Sequence, residues 1–141
     1  MRLPEQRLWD RMRRGLEPYP ILLHRIENIV GEGMPDLVAC CLGQTSFIEL
    51  KCVEEPPKRD STPLLGKKKG LSIAQRNWHL DWRRAGGCSY VLVGFGDDIA
   101  LLPGRLADLI NDMTVTDVLQ DAVATDWRGV ALELGCMEWL K

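Results

Sequence analysis

The stretch GMPDLVACCLGQTSFIELKCV, residues 33–53, decides how this chain is read. It opens on a turn signal, Gly33-Met34-Pro35, with an acid directly behind it, Asp36. An apolar run over 37–42 leads to a polar turn, Gly43-Gln44-Thr45-Ser46. A second apolar run over 47–53 carries Glu49 and Lys51. Two short apolar runs joined by a Gly-containing turn predict a β-hairpin. Side chains alternate along a strand, so Glu49, Lys51 and Val53 share one face while Ile48, Leu50 and Cys52 share the other.

A carboxylate and an ammonium two residues apart on a mostly apolar strand are costly to bury without partners. Asp36, at the mouth of the paired strand, is one candidate partner. A divalent cation held between Asp36 and Glu49 is another. Hard cations such as Mg²⁺ take carboxylate oxygens. They turn water into a nucleophile and stabilise charge developing on a phosphate. An ammonium beside them lowers the pKa of the attacking water or binds the phosphate. The pattern therefore suits cutting of a phosphodiester.

Pro35-Asp36 and Glu49-Leu50-Lys51 resemble the PD-(D/E)xK signature of a nuclease superfamily. The surroundings extend the likeness: Gly33 before the PD, a hairpin between the two parts, Ser72-x-x-Gln75 after them, and Ala85-Gly86-Gly87 before a further strand. This wider pattern resembles the VRR-NUC and phage endonucleases near the archaeal Holliday-junction resolvases, over roughly residues 1–95. It implies an α/β fold with a mixed central sheet flanked by helices, a restriction-endonuclease-like core. It also implies a DNA endonuclease of a phage or mobile element, dependent on Mg²⁺ or Mn²⁺ and acting in repair or recombination. Selectivity for branched or junction DNA belongs to the same implication; a nicking or general-repair enzyme is left open. The implied metal ligands are Asp36, Glu49 and the Leu50 carbonyl. Lys51 would orient or activate the water, and Gln75 would support the site. In this superfamily the first helix often lends another acid, for which Glu5 is best placed, the bland alternative being an ordinary N-terminal acid; Glu27 is the other candidate, with pairing to Arg25 or a place at a sheet edge as its bland reading. DNA is the implied partner, with homodimerisation left open.

Length and composition bound these expectations. The 141 residues suit one domain, with a core over about residues 1–102 and a helical, acidic extension over 103–141. No apolar run is long enough to span a bilayer, and the opening MRLPEQRLWD carries no apolar signal core, so a cytoplasmic protein is expected (host cytoplasm if phage-encoded). The five cysteines are odd in number and form no CxxC pair, which predicts core thiols rather than a disulfide frame or a zinc site. Residues 1–95 carry 15 Lys and Arg against 11 Asp and Glu, a net of +4, whereas 96–141 carry 3 against 9, a net of −6. The basic portion is compatible with a polyanion partner.

Along the chain, 3–16 reads as a helix with Pro4 in its first turn, an apolar stripe of Leu8, Trp9, Met12 and Leu16, and an arginine face of Arg7, Arg11 and Arg14. Pro18 and Pro20 break it, and 21–30 is strand-like. Residues 54–70 are rich in Pro, Gly and charge and are expected to form a mobile loop. Its Lys67, Lys68 and Lys69, with Arg76 on the following helix, are candidate phosphate contacts; the bland alternative is a solvated charged face. Ser72 and Gln75 form a capping-box pattern for a helix over 73–85, which capping alone would explain. His79 reads as a packing or surface residue, and Trp78 and Trp82 as core rather than base-stacking groups. Residues 88–95 read as a strand covered on both faces, followed by a short strand over 99–102 and helices over 105–113 and 115–124. The acidic tail, with Trp139 and Leu140, is expected to cover the sheet, contact a second copy or lie near the DNA. Two rival readings accompany the nuclease: a non-cleaving nucleic-acid-binding module of the same fold, and an ordinary α/β domain in which Glu49 and Lys51 form a structural ion pair.

Overall fold

A computed structural model of the chain describes residues 3–26 and 33–136. Five strands form one mixed sheet in the order β1 (Leu22–Arg25), β2 (Leu37–Cys41), β3 (Gln44–Val53), β4 (Cys88–Phe95) and β5 (Asp98–Pro103). All neighbours are antiparallel except β3 and β4, which run parallel from Ser46 opposite Cys88 to Val53 opposite Phe95. A parallel pair needs a long crossover. Residues 54–87 supply it, with the single-turn α2 (Gly66–Lys69) and α3 (Ile73–Arg84).

Both faces of the sheet are packed. On one, α1 (Pro4–Leu16) buries Leu8, Met12 and Leu16 against Leu37, Ile48, Leu50 and Leu92. Helix α5 (Trp127–Glu133) adds Val130 and Ala131 to the same cluster. On the other face Val53, Val91, Val93 and Leu102 meet Leu64, Leu65 and Leu71 of the crossover, with Ile110 and Val118 of the C-terminal part. The alternation expected along 47–53 therefore holds: Ile48 and Leu50 face α1, and Val53 faces the crossover. Strand β4 is buried on both faces, as its unbroken apolar run implies. The segment 123–124 lies along β5, with Val123 N–H donating to Leu101 O and Leu101 N–H to Ala124 O, so that edge is covered.

Several expectations change. The hairpin turn is Leu42-Gly43, with φ of 50° and 88°, and Gln44, Thr45 and Ser46 belong to the strand. Two positive φ angles match the two-residue turn whose twist suits a hairpin, and an exposed leucine is tolerated at the first. The helix expected over 105–113 is two 3₁₀ turns, Gly104–Leu106 and Ile110–Asp112, which keep Leu106 and Ile110 facing the sheet. Helix α4 is shorter than expected, Val115–Asp121, with Thr114 as its cap. The strand expected over 21–30 is β1 in its first part; its later residues, including Glu27, lie outside the described residues, as do Trp139 and Leu140.

The crossover loop is anchored rather than free in its second half. Leu64, Leu65 and Leu71 are buried, and Leu64 N–H donates to Met113 O. Asn111, itself buried, accepts from Leu71 N–H at 2.7 Å and donates to Leu71 O at 2.9 Å. One side chain thus satisfies both backbone polar groups of the buried Leu71. Replacing it strands them, at about 1–3 kcal/mol per group. Asn111→Ala is expected to lower unfolding free energy by about 2 kcal/mol or more, measured by urea denaturation.

Candidate active site

The antiparallel register pairs Leu37 with Ile48, so the next step outward sets Asp36 opposite Glu49. Asp36 Oδ2 accepts a hydrogen bond of 2.7 Å from Leu50 N–H, which fixes the carboxylate at the mouth of the hairpin. Glu49 is 1% exposed. Its Oε1 is fully buried and meets no hydrogen-bond partner among the described residues. Burial, a hydrogen bond to Asp36 and repulsion from Asp36 together push the Glu49 carboxyl up to about 10, with Lys51 opposing. Two acids in one dry place cannot both ionise cheaply without a compensating cation.

The surrounding elements converge on that pair. Lys51, two residues on along β3, shares the Glu49 face. Glu5 stands in the first turn of α1; burial and the Asp36 charge raise its pKa, against Lys51 and Arg25. The structure thus brings Glu5, Asp36, Glu49 and Lys51 into one electrostatic neighbourhood. Glu27 lies outside the described residues and cannot be placed beside it.

Helix α3 begins against the turn that precedes Asp36, where Gly33 meets the backbone of Ala74 and Gln75. Ser72 Oγ accepts from Gln75 N–H (3.1 Å) and Gln75 Oε1 accepts from Ser72 N–H (2.9 Å), so the capping box expected from sequence is formed. That leaves the Gln75 Nε2 hydrogens as the part of the side chain able to serve the site. Gly33 has φ +85°, and a Cβ there would run into the Ala74 carbonyl oxygen. Glycine is therefore required where the turn before Asp36 touches the start of α3. One turn on, His79 is fully buried, and its Nδ1 shares a hydrogen bond of 2.9 Å with Ser89 Oγ of β4. Burial, with Arg83 next, pulls its pKa down to about 4, so it is a neutral joint between α3 and the sheet.

The basic candidates are spread more widely. Lys67, Lys68 and Lys69 all point outward on α2, and Arg76 is half-buried in α3. Lys67 and Arg76 line one cleft with Asn111 and Asp112. The arginine face of α1 is engaged at the strand ends: Arg7 pairs with Glu54, and Arg11 donates to Asp97 O at 2.8 Å. Two features escaped the sequence reading. The His79–Ser89 joint depends on a contact between separate elements. The ring cluster of Phe47, Trp78 and Trp82 sits on the strand face that bears Glu49. The helical spacing of the two tryptophans was the available signal, and Phe47 at an even step from Glu49 was the other.

The donor set fits a hard cation: two carboxylates, one of them with an orphaned buried oxygen, and no soft ligand. Among the described residues no three His, Cys, Asp or Glu side chains converge as a ligand cluster. Cys41 and Cys136 approach to 3.0 Å on the opposite side of β2, within the α1–α5 core.

The restriction-endonuclease-like α/β fold defined by this sheet is shared with solved structures. One is Hjc, a Holliday junction resolvase from the archaeal hyperthermophile Archaeoglobus fulgidus, with a TM-score of 0.63 and 16% identity over 89% of this chain and 98% of that one. Another is a VRR_NUC domain, with a TM-score of 0.50 and 20% identity over 67% of this chain and 87% of that one. No protein-family model and no curated protein sequence matches the chain.

Without a cation the buried acid sets a pH dependence. The native state holds a proton on Glu49 up to about 10, whereas the unfolded chain releases it near 4.5. Its favourable contribution is complete below pH 4.5 and is lost as pH rises toward 10. Glu49→Gln in EDTA is expected to match the parent protein near pH 4 and to exceed its unfolding free energy increasingly above that. The gain should reach at most about 3 kcal/mol at pH 7. Urea titrations at pH 4, 5.5 and 7 check this.

Proposed function

We propose that the protein is a divalent-metal-dependent DNA endonuclease that cuts phosphodiester bonds, with preference for branched or junction DNA. The observation that carries the reading is the buried Glu49 oxygen without a partner beside Asp36. The fold shared with a junction resolvase and a VRR_NUC domain supports it.

In this reading Asp36 and Glu49 hold Mg²⁺ or Mn²⁺, with the Leu50 carbonyl as a further ligand. The cation, when bound, supplies charge that activates water and stabilises the phosphorane-like transition state. Asp36 is preorganised for its role because Leu50 N–H already fixes its second oxygen. Lys51 places an ammonium on the same strand face, where it binds a phosphate oxygen or steers the attacking water. Gln75 donates its amide hydrogens into the site while its oxygen stays in the helix cap. Glu5 contributes a further acid from α1. Lys67, Lys68, Lys69 and Arg76 hold the DNA backbone.

Asp36→Asn and Glu49→Gln are each expected to lower the single-turnover cleavage rate by at least about a thousandfold, while DNA affinity in EDTA persists or rises as phosphate repulsion falls. The assay is cleavage of labelled single-stranded, duplex, flap and four-way DNAs with Mg²⁺, Mn²⁺ or EDTA. Cleavage unaffected by EDTA or by both substitutions would refute the proposal. Changing Lys67, Lys68 and Lys69 together to Ala is expected to weaken binding to every DNA tested. The slope of log affinity against log salt should flatten by up to roughly 2–3. An unchanged slope would return these lysines to the solvated surface.

A further inference from the structure

Trp78 and Trp82 stack on each other one helical turn apart on α3, with ring centroids 5.3 Å apart and planes 18° apart. Both meet Phe47 edge-on, at 5.2 and 5.0 Å. The cluster is not core: Trp82 remains 36% exposed, and Trp78 and Phe47 are partly exposed. It is nevertheless held in place. Trp82 Nε1 donates to Cys88 O at 3.1 Å, and Gly87 leaves the space that the indole occupies. Next to it, Phe47 pairs across the sheet with Val38, and Val38 with His24; His24 is exposed and Val38 partly so, leaving this face open toward β1.

Position gives the cluster its meaning. Phe47 and Glu49 are alternate residues of β3 and point to the same face, about 6.5–7 Å apart along the strand. That is of the order of one nucleotide step. Exposed indoles held rigid by hydrogen bonding and packing are suited to stacking on a base, since every base presents a π-face. The charges on α3 around them are mainly cationic: Arg76, Arg83 and Arg84, against Asp81. Arg83 itself lies over the Tyr90 ring at 5.3 Å, and Arg84 pairs with Asp81. A polyanion matches that setting.

We propose that Phe47, Trp78 and Trp82 form a stacking site for an unpaired DNA base, adjacent to the phosphate that lies at Asp36 and Glu49. It rests on the nuclease reading and extends it: the preferred substrate presents an unstacked base within about one nucleotide of the cut. A fully paired duplex offers the rings no base face unless a base is first drawn out of the stack.

The test is a binding cycle in EDTA, read by fluorescence anisotropy at fixed salt. The probes are a flap DNA with unpaired bases, the same flap with an abasic spacer replacing them, and a blunt duplex. The protein is compared with Trp82→Leu, Trp82→Phe and Trp78→Leu, each checked for folding by circular dichroism and thermal unfolding. The unsubstituted protein is expected to bind the base-bearing flap about tenfold or more tighter than the abasic one. Trp82→Leu should lose most of that ratio, and Trp82→Phe should restore a large part of it. Quenching of tryptophan fluorescence by the base-bearing flap but not by the abasic flap is the readout that needs no variant. Equal ratios in the parent protein and Trp82→Leu, with no such quenching, would overturn the stacking site. So would a concentration-dependent dimer that Trp82→Leu dissociates without changing the ratios, since the rings would then meet a second copy. In either case loss of cleavage in Asp36→Asn would leave the nuclease reading standing, whereas a protein that binds no DNA at all would remove both.

Discussion

The constraint on which the rest of the structure depends is the burial of Glu49 beside Asp36. A carboxyl group 1% exposed, with one oxygen unpartnered among the described residues and a second acid in reach, is an unstable arrangement for a bare protein. The surrounding fold is arranged to maintain it. Strand β3 is clamped between β2 and the parallel β4, and both faces of the sheet are packed, so Glu49 cannot swing out to water without disturbing one of two apolar clusters. The Leu50 N–H holds Asp36 in the same small volume. Strain of this kind is retained where it serves a site.

Around that pair, precision comes from one close backbone approach and a few side-chain hydrogen bonds between or at the ends of elements. Gly33 lets the turn before Asp36 touch the first turn of α3. His79 and Ser89 pin α3 to β4, and the Ser72–Gln75 box fixes where the helix begins. Asn111 ties the crossover, at Leu71 just ahead of α3, to the 3₁₀ turns beyond β5. The C-terminal part therefore supports the site indirectly, by packing Ile110 and Val118 under the crossover and Val130 and Ala131 beside α1. The candidate site residues sit on β3, in the turn leading into β2 and in the first turns of α1 and α3, placements that favour a fixed geometry.

Much of this was legible in the sequence because the decisive signals are local. The alternation over 47–53 gave the faces of β3, the unbroken run over 88–95 gave a doubly covered strand, and Ser72 with Gln75 gave the start of α3. What escaped was set by contacts between distant elements. Leu42 takes a positive φ that no leucine advertises, so the turn was placed too late. The apolar spacing over 105–113 is satisfied by 3₁₀ turns as well as by a helix, and only packing on the sheet decides. A charged, Pro-rich segment reads as free loop until Leu64, Leu65 and Leu71 find their cluster. Trp78 and Trp82 read as core by type, yet Trp82 is exposed and Trp78 only partly buried.

The most direct test is calorimetric titration of Mn²⁺ into the protein at pH 7, in two buffers that differ in ionisation enthalpy. If the acid pair is a cation site, Mn²⁺ binds, and the proton held on Glu49 is displaced, so about one proton is released per ion. Binding should fall at least about tenfold in Asp36→Asn and in Glu49→Gln, and the proton release should vanish in the latter. Undiminished Mn²⁺ binding in both variants, or no binding by the parent protein, would contradict the assignment of Asp36 and Glu49 as the metal-holding pair.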